Sequence, residues 1–168
     1  AYLASTIAGL VGLVCVYEAG AHGGRLVYGY AGGVGTRSGD PADVERLLLA
    51  GLYQQAQVDR QAGRRTQAGA LMAQAAERFP KNADVQLAAV QSLLVDRQDP
   101  ASALAKLKAI TVAPGDRRLR IQHGLVTADA LEAAGQRDGA VAVLQALLTD
   151  FPADPRLTER LAAIKKTR

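Results

Sequence analysis

The sequence predicts an all-α protein in which one apolar N-terminal helix precedes a domain of repeated helix pairs. Residues 1–17 carry no charge, and all twenty lysines and arginines lie from Arg25 onward. Eight glycines then follow between residues 20 and 39. The pair Phe79–Pro80 recurs as Phe151–Pro152, 72 residues further on. We therefore divide the chain into a transmembrane helix over 1–22, a glycine-rich linker over 23–42 and a helical repeat domain over 43–168.

The apolar N-terminal run has the length of a membrane-spanning helix. Seventeen helical residues measure about 25 Å, close to the thickness of the hydrocarbon core of a bilayer. A secretory signal peptide cleaved near Ala19–Ala21 is the alternative, but the run has no basic flank and is longer than a typical signal core. Small residues at four-residue spacing predict that this helix packs against other membrane helices, although a lone anchor is the alternative. These residues are Ala4, Ala8 and Gly12 on one stripe, and Ser5 and Gly9 on the next.

The glycine-rich linker opposes a regular helix, because glycine loses the most backbone freedom when it is ordered. Its glycines at positions 33, 35 and 39 lack the Lys-Ser/Thr pair and the strand–helix context of a nucleotide-binding loop, which disfavours nucleotide binding. Tyr28 and Tyr30 stand close to the apolar span, where tyrosines suit the lipid headgroup region. We take these two tyrosines as candidate partner contacts.

The stretch AHGGRLVYGYAGGVG over 21–35 resembles the end of the last membrane helix in a bacterial family called domain of unknown function 2231. The matching positions are His22, Gly23, Gly24, Leu26, Val27, Tyr28, Gly33, Val34 and Gly35. The resemblance covers only the first 35 residues and implies no reaction. It implies a bacterial inner-membrane location with the domain that follows in the periplasm, and a cytoplasmic domain is the alternative.

His22 is the candidate cofactor ligand, because a histidine at a membrane boundary can bind haem iron or the magnesium of a chlorophyll-type pigment. No second histidine lies one or two helical turns away, so another chain would have to complete such a site. A histidine hydrogen-bonded at the headgroup level is the favoured interpretation. We therefore expect no cofactor, with haem or pigment at His22 as the alternative.

The C-terminal three quarters of the chain contain a repeat with a period of about 36 residues, since the two Phe-Pro pairs stand two periods apart. The spacing is similar to that of tetratricopeptide signature positions. In the last unit these positions are Ala128, Leu131, Gly135, Ala140, Leu144, Leu147 and Pro152, and in the first unit Gly63, Ala68, Met72, Ala75 and Pro80. The middle unit (Ala103, Leu107, Ile110 and Pro114) is one residue short before its proline.

The domain therefore resembles a tetratricopeptide array, which implies an α-solenoid of three helix pairs near 43–80, 83–114 and 117–152. Asp154 and Pro155 predict the start of a final capping helix. Asp59 departs from the pattern, because a large tyrosine or leucine is usual at its position. No set of asparagines and lysines for holding a peptide carboxylate is present, so capture of a peptide C-terminus is not expected.

Nothing in the sequence predicts catalysis or a metal site. The two histidines, His22 and His123, are far apart, and Cys15 lies in the apolar run. The sequence contains no HExxH, CxxC or GxSxG motif. The net charge of +4 is spread along the chain, which argues against a nucleic-acid binder. Three arginines before a predicted helix, Arg117, Arg118 and Arg120, predict a solvated face, with partner or lipid contact as the alternative.

These observations predict a non-catalytic, membrane-anchored scaffold: an accessory subunit that stabilises or helps assemble a larger bacterial membrane protein complex, respiratory or photosynthetic. Its expected partners are other subunits of that complex and the lipid bilayer. The main alternative is an independent periplasmic adaptor that binds envelope proteins or peptides. A weaker alternative is a subunit that binds haem or pigment through His22.

Overall fold

The computed structural model describes residues 12–20 and 40–166. The chain divides into two compact units, residues 1–52 and 53–168. Residues 12–20 are helical, and the large apolar side chains of this segment are 59 to 73% exposed. No helix among the described residues combines the length and the apolar character needed to cross a membrane. The rest of the predicted transmembrane span and nearly all of the glycine-rich linker lie outside the described residues.

From residue 40 onward the described chain is helical and contains no strand, which confirms the all-α prediction for this part. The helices are α1 (Pro41–Gln61), α2 (Arg65–Arg78), α3 (Ala83–Val95), α4 (Pro100–Leu107), α5 (Arg117–Ala133), α6 (Arg137–Asp150) and α7 (Pro155–Lys166). Helix α1 begins two residues before the predicted domain boundary, because Asp40 accepts the backbone N–H of Ala42 (2.9 Å) and so caps the helix there.

Short polar side chains start the later helices. Asn82, Asp99 and Asp116 each accept a backbone N–H three residues ahead, at 3.3, 3.0 and 2.9 Å. Asp154 accepts the backbone N–H of Arg156 (3.1 Å), and α7 begins at Pro155, as the sequence predicts. These four helices therefore begin where a side chain satisfies a free N–H group, whereas α2 and α6 begin without a side-chain cap.

Two of the turns inside the helix pairs depend on glycine. Gly63 and Gly135 have φ of +76° and +74°, a left-handed conformation that glycine adopts without a steric penalty. In both turns the next residue donates its N–H to a carbonyl five residues back, from Arg64 to Asp59 (2.7 Å) and from Gln136 to Leu131 (2.8 Å). This is the bond pattern of a Schellman helix end, and it fixes the direction in which the second helix of the pair leaves.

The helices pack through small and aliphatic side chains. Ala68, Ala75, Ala128 and Ala140, which occupy predicted signature positions of the repeat, are fully buried. One cluster joins α3, α4 and α5, a second joins α5, α6 and α7, and a smaller one contains Ala56, Ala68 and Met72. Helix α5 contributes to the first two clusters, so the core of the middle pair and that of the last pair meet on this helix, as expected for stacked repeats.

Helix α4 ends earlier than its counterparts. It has eight residues, whereas α2 and α6 have fourteen each. The sequence Ile110-Thr111-Val112 follows, and β-branched side chains disfavour a helix, as does the approach to Pro114. Ile110, predicted at a helical signature position, therefore lies outside the helix. The ring Nε2–H of His123 donates to the carbonyl of Leu107 (3.1 Å) and so satisfies the early end of α4.

Candidate protein-binding groove

The first helices of the successive pairs form one face of the repeat domain. Helix α3 contacts α5, and α5 contacts α7. A groove of about 490 Å³ runs over these three helices. Its residues are Gln91 of α3, then Gln122, Leu125, Val126 and Asp129 of α5, and finally Arg156, Glu159, Arg160 and Ala163 of α7. An apolar floor with polar walls is the usual composition of a protein-binding surface.

Arg160 holds one wall of the groove in place. Its guanidinium donates to Asp129 (2.6 Å) and to Glu132, both on α5. Burial lowers the pKa of Arg160, but the hydrogen bonds to the two carboxylates outweigh burial and raise the pKa above its ordinary value. Arg160 therefore stays charged, and it fixes α7 against α5 beside the groove.

Two polar groups in the groove are left available to a partner. Within residues 12–20 and 40–166, neither the carboxylate of Glu159 nor the amide of Gln91 has an ion pair or a side-chain hydrogen bond, and both residues are exposed. An unpaired carboxylate favours a basic side chain on a partner, and an amide can both donate to and accept from a peptide backbone. The groove thus offers one acidic and one neutral polar contact around an apolar floor.

Arginine–carboxylate pairs connect each first helix to the next. Arg60 of α1 binds Asp96 after α3, Arg118 of α5 binds Asp84 of α3, and Arg160 of α7 binds Asp129 of α5. The partners stand 36, 34 and 31 residues apart, close to one repeat period. These ion pairs were not predicted from the sequence. The signal that could have predicted them is an arginine and an aspartate separated by about one repeat period. They set the spacing of the helices that form the groove.

The pair between Arg60 and Asp96 is the most buried of the three, since the Asp96 side chain is 0% exposed. Burial raises the pKa of Asp96, but hydrogen bonds from Arg60 and Ser92 outweigh burial and hold the pKa below its ordinary value. Asp59, the departure from the tetratricopeptide pattern, is also buried. It accepts hydrogen bonds from Arg64 (2.6 Å) and Gln55 (3.0 Å), so it stabilises the turn between α1 and α2.

The predicted arginine cluster is engaged within the domain. Arg118 donates to both carboxylate oxygens of Asp84 (2.6 and 2.8 Å), and this pair lowers the pKa of Asp84. Arg120 forms an ion pair with Asp150. The guanidiniums of Arg117 and Arg120 lie 5.5 and 4.8 Å from the centre of the Phe151 ring. The contact of these arginines with a partner or lipid remains a prediction.

The other predicted site residues belong to the N-terminal part. His22, Tyr28, Tyr30, Ala4, Ser5, Ala8 and Gly9 lie outside the described residues. Gly12 is the first described residue of the helical segment over 12–20, and apart from its own helix backbone and chain neighbours no described residue lies within 4 Å of the place where its Cβ would be. Cys15 is exposed in the same segment. Among the residues that the structure describes, no three His, Cys, Asp or Glu side chains are grouped as a metal site requires.

Comparison with known families identifies one of the repeats. The tetratricopeptide repeat family matches residues 125–164, which run from the second half of α5 through α6 to the last turn of α7. This segment contains the signature positions predicted for the last unit and most of the α5 and α7 residues that line the groove. No curated protein and no solved structure gives a significant match to the chain. Residues 125–164 are therefore a tetratricopeptide repeat, a helical scaffold that is generally non-catalytic and mediates protein–protein contacts.

Proposed function

We propose that this chain is a membrane-anchored scaffold without catalytic activity, an accessory subunit that helps assemble a larger bacterial membrane protein complex. The observation that carries the proposal is the groove over α3, α5 and α7, most of whose α5 and α7 residues lie in the tetratricopeptide repeat over 125–164 and in which Glu159 and Gln91 are unpaired within the described residues. A partner segment that lies in this groove presents an apolar side chain to the floor and a basic side chain to Glu159.

The membrane anchor is a separate part of the proposal, and it rests on the uncharged run over residues 1–17. We expect the full chain to remain in the membrane fraction after washing with alkaline carbonate. Release by carbonate would contradict the anchor and leave the scaffold function untouched. We place the repeat domain on the periplasmic side, where protease added to spheroplasts should digest it.

Co-purification after solubilisation in a mild detergent tests the subunit role. We expect the full chain to elute from a size-exclusion column together with other membrane proteins of its complex. Elution as a lone small protein would refute the subunit role and favour the independent periplasmic adaptor. The absorption spectrum of the same fraction tests the alternative at His22, since a bound haem or pigment gives a visible band and we expect none.

A pair of charge reversals tests whether the groove is the contact. Glu159→Arg places a positive charge in the groove, and we expect it to reduce the co-purifying partner about tenfold through repulsion of the basic side chain. Glu77→Arg makes the same change on the exposed surface of α2, outside the groove, and should leave the partner bound. Equal retention by both variants would rule out the groove as the docking site.

A further inference from the structure

The connection between α4 and α5 differs from the two other connections between helix pairs. It covers the nine residues 108–116, whereas the connections over 79–82 and 151–154 have four residues each. Counted back from the proline that ends each unit, residues 108–112 occupy positions that are still helical in α2 and α6. The chain here is therefore a helix end that has been unwound, and residues 110–113 contain no helix, turn or bend.

This segment has the properties of an unpaired β-strand edge. Ile110 and Val112 are half-buried while Thr111 and Ala113 are exposed, the two-residue alternation of an extended chain. The N–H of Ile110 donates to Leu107 (3.2 Å), and the carbonyl of Ala113 accepts from Asp116 (3.0 Å). Between these bonds, the backbone N–H and C=O groups of Thr111 and Val112 make no hydrogen bond within the described part of the chain. Such groups are available to pair with a second extended chain.

An apolar crevice lies beside the segment because the missing turns of α4 leave part of α5 and α6 uncovered. The crevice has a volume of about 510 Å³; its apolar lining includes Val112, Val143 and Leu147, and the ion pair between Arg120 and Asp150 also lines it. At Gly124 the side chain of Leu147 of α6 packs directly against the backbone of α5. The volume and the apolar walls suit one or two aliphatic side chains.

A basic hollow of about 520 Å³ is also lined by residues of the segment, Ile110 and Thr111, and it includes Lys81 and Lys106. Both lysines are exposed, and neither has an ion-pair partner within the described residues. A partner bound along the segment would therefore meet an apolar crevice and a positively charged hollow. This combination selects an occupant that carries both aliphatic and acidic side chains.

We propose that residues 110–113 are a docking edge for an extended, acidic and aliphatic peptide segment of a partner protein. The peptide pairs with the free backbone N–H and C=O of Thr111, which point to one edge of the extended chain, places an aliphatic side chain in the crevice and sets an acidic side chain beside Lys81 and Lys106. Strand addition of this kind takes its affinity from backbone hydrogen bonds and its specificity from alternate side-chain pockets. The edge is separate from the groove over α3, α5 and α7, so a negative binding result at one surface does not refute binding at the other.

The test uses the full chain in mild detergent, labelled for NMR, and a defined mixture of capped hexapeptides. In this mixture two acidic positions precede alternating aliphatic and threonine positions, and a second mixture has the reverse order, so that both strand directions are sampled. We expect one of the two to shift the backbone amide signals of Thr111 and Val112 with a Kd in the micromolar to millimolar range. A mixture with lysine at the acidic positions should bind about tenfold more weakly.

Two matched pairs of variants separate the backbone and charge contributions. Thr111→Pro removes one edge N–H, whereas Thr111→Val keeps the N–H and the branched shape; we expect a loss of about fivefold in affinity for the proline variant only. The double change Lys81→Glu and Lys106→Glu should weaken the acidic mixture about fivefold at low salt. The same double change at Lys165 and Lys166, at the end of α7, should have less than a twofold effect.

The proposal fails if neither orientation of the acidic mixture shifts Thr111 and Val112 at millimolar concentration. It fails equally if Thr111→Pro, folded by circular dichroism, binds as well as Thr111→Val. Should Thr111→Pro not fold, the lysine reversals and the amide shifts of the unaltered chain still decide the question. Binding of the basic mixture at equal strength would also overturn it, because the hollow would then not select acidic side chains.

Discussion

Gln98 occupies a backbone conformation that a glycine should fill better. Its φ is +53°, and the structure places it in the turn between α3 and α4, where the other two helix pairs have Gly63 and Gly135. All three residues precede the first residue of the second helix by two positions. The Gln98 side chain is exposed and makes no hydrogen bond within the described residues, so replacing it removes no contact. We therefore expect Gln98→Gly to stabilise the repeat domain.

The expected size of the effect follows from two opposing contributions. A residue with a Cβ in the left-handed region is destabilised by about 1–2 kcal/mol relative to glycine. Glycine also increases the conformational entropy of the unfolded chain, which lowers stability by about 0.4–1 kcal/mol. The difference leaves a gain of about 0.5–1 kcal/mol in the free energy of unfolding for Gln98→Gly. For a domain of this size that gain raises Tm by about 2–4 °C.

Urea unfolding followed by circular dichroism measures this change, with Gln98→Ala as the control. Alanine keeps the Cβ and should leave the free energy of unfolding nearly unchanged. The reciprocal substitution Gly135→Gln should destabilise the chain by a similar amount, because its φ of +74° lies in the same region. A neutral or destabilising Gln98→Gly, together with a destabilising Gly135→Gln, would show that Gln98 in the middle turn is not under backbone strain.

Two further substitutions test the contacts between helices. Asp96→Asn should lower the free energy of unfolding at pH 7 by about 2 kcal/mol, because it breaks a buried pair whose other partner, Arg60, is 28% exposed and can be rehydrated. The folded-state pKa of Asp96 lies below its ordinary value of 3.8, so the ion pair stabilises the fold above pH 3.8. This stabilisation is lost as the pH falls through the folded-state pKa. Below about pH 4 the free energy of unfolding of Asp96→Asn should therefore decrease less than that of the unaltered chain. Gly124→Ala should destabilise by about 1–2 kcal/mol, because its Cβ would lie 2.0 Å from Leu147 Cδ1. Leu147→Ala in the same chain should remove most of that added loss, and additive losses in urea titrations would contradict the contact.

The sequence predicts those parts of the fold that depend on local rules. The turns at Gly63 and Gly135 and the start of α7 at Pro155 follow from glycine, proline and capping preferences, which act over a few residues. The early end of α4 departs from the repeat spacing, which Ile110 fits, because the β-branched run that follows the helix disfavours its continuation. Pro114 lies at the predicted end of the middle unit, but helix α4 already ends at Leu107.

The candidate groove lay beyond sequence reasoning because it depends on how successive helices meet. Asp129 and Arg160 form one wall only when α5 and α7 adopt a particular spacing, and the ion pair between them reflects that spacing. The sequence shows their separation of 31 residues but not the packing that brings them together. Glu159 differs from its neighbour Arg160 in being unpaired, a distinction that only the three-dimensional arrangement makes.

The middle helix pair is irregular at both ends of α4, and these irregularities have a common consequence. At its start the turn is one residue longer, since Asp99 donates its N–H to Leu93, six residues back (3.0 Å). At its end the carbonyl of Leu107 accepts a hydrogen bond from His123 of the next unit in addition to the N–H of Ile110. An eight-residue helix has little stability of its own, so neighbouring units must hold it in place. A peptide bound at residues 110–113 would contact this least regular unit. By mass action its binding energy would stabilise the folded middle pair, and through it the contacts with the units on either side.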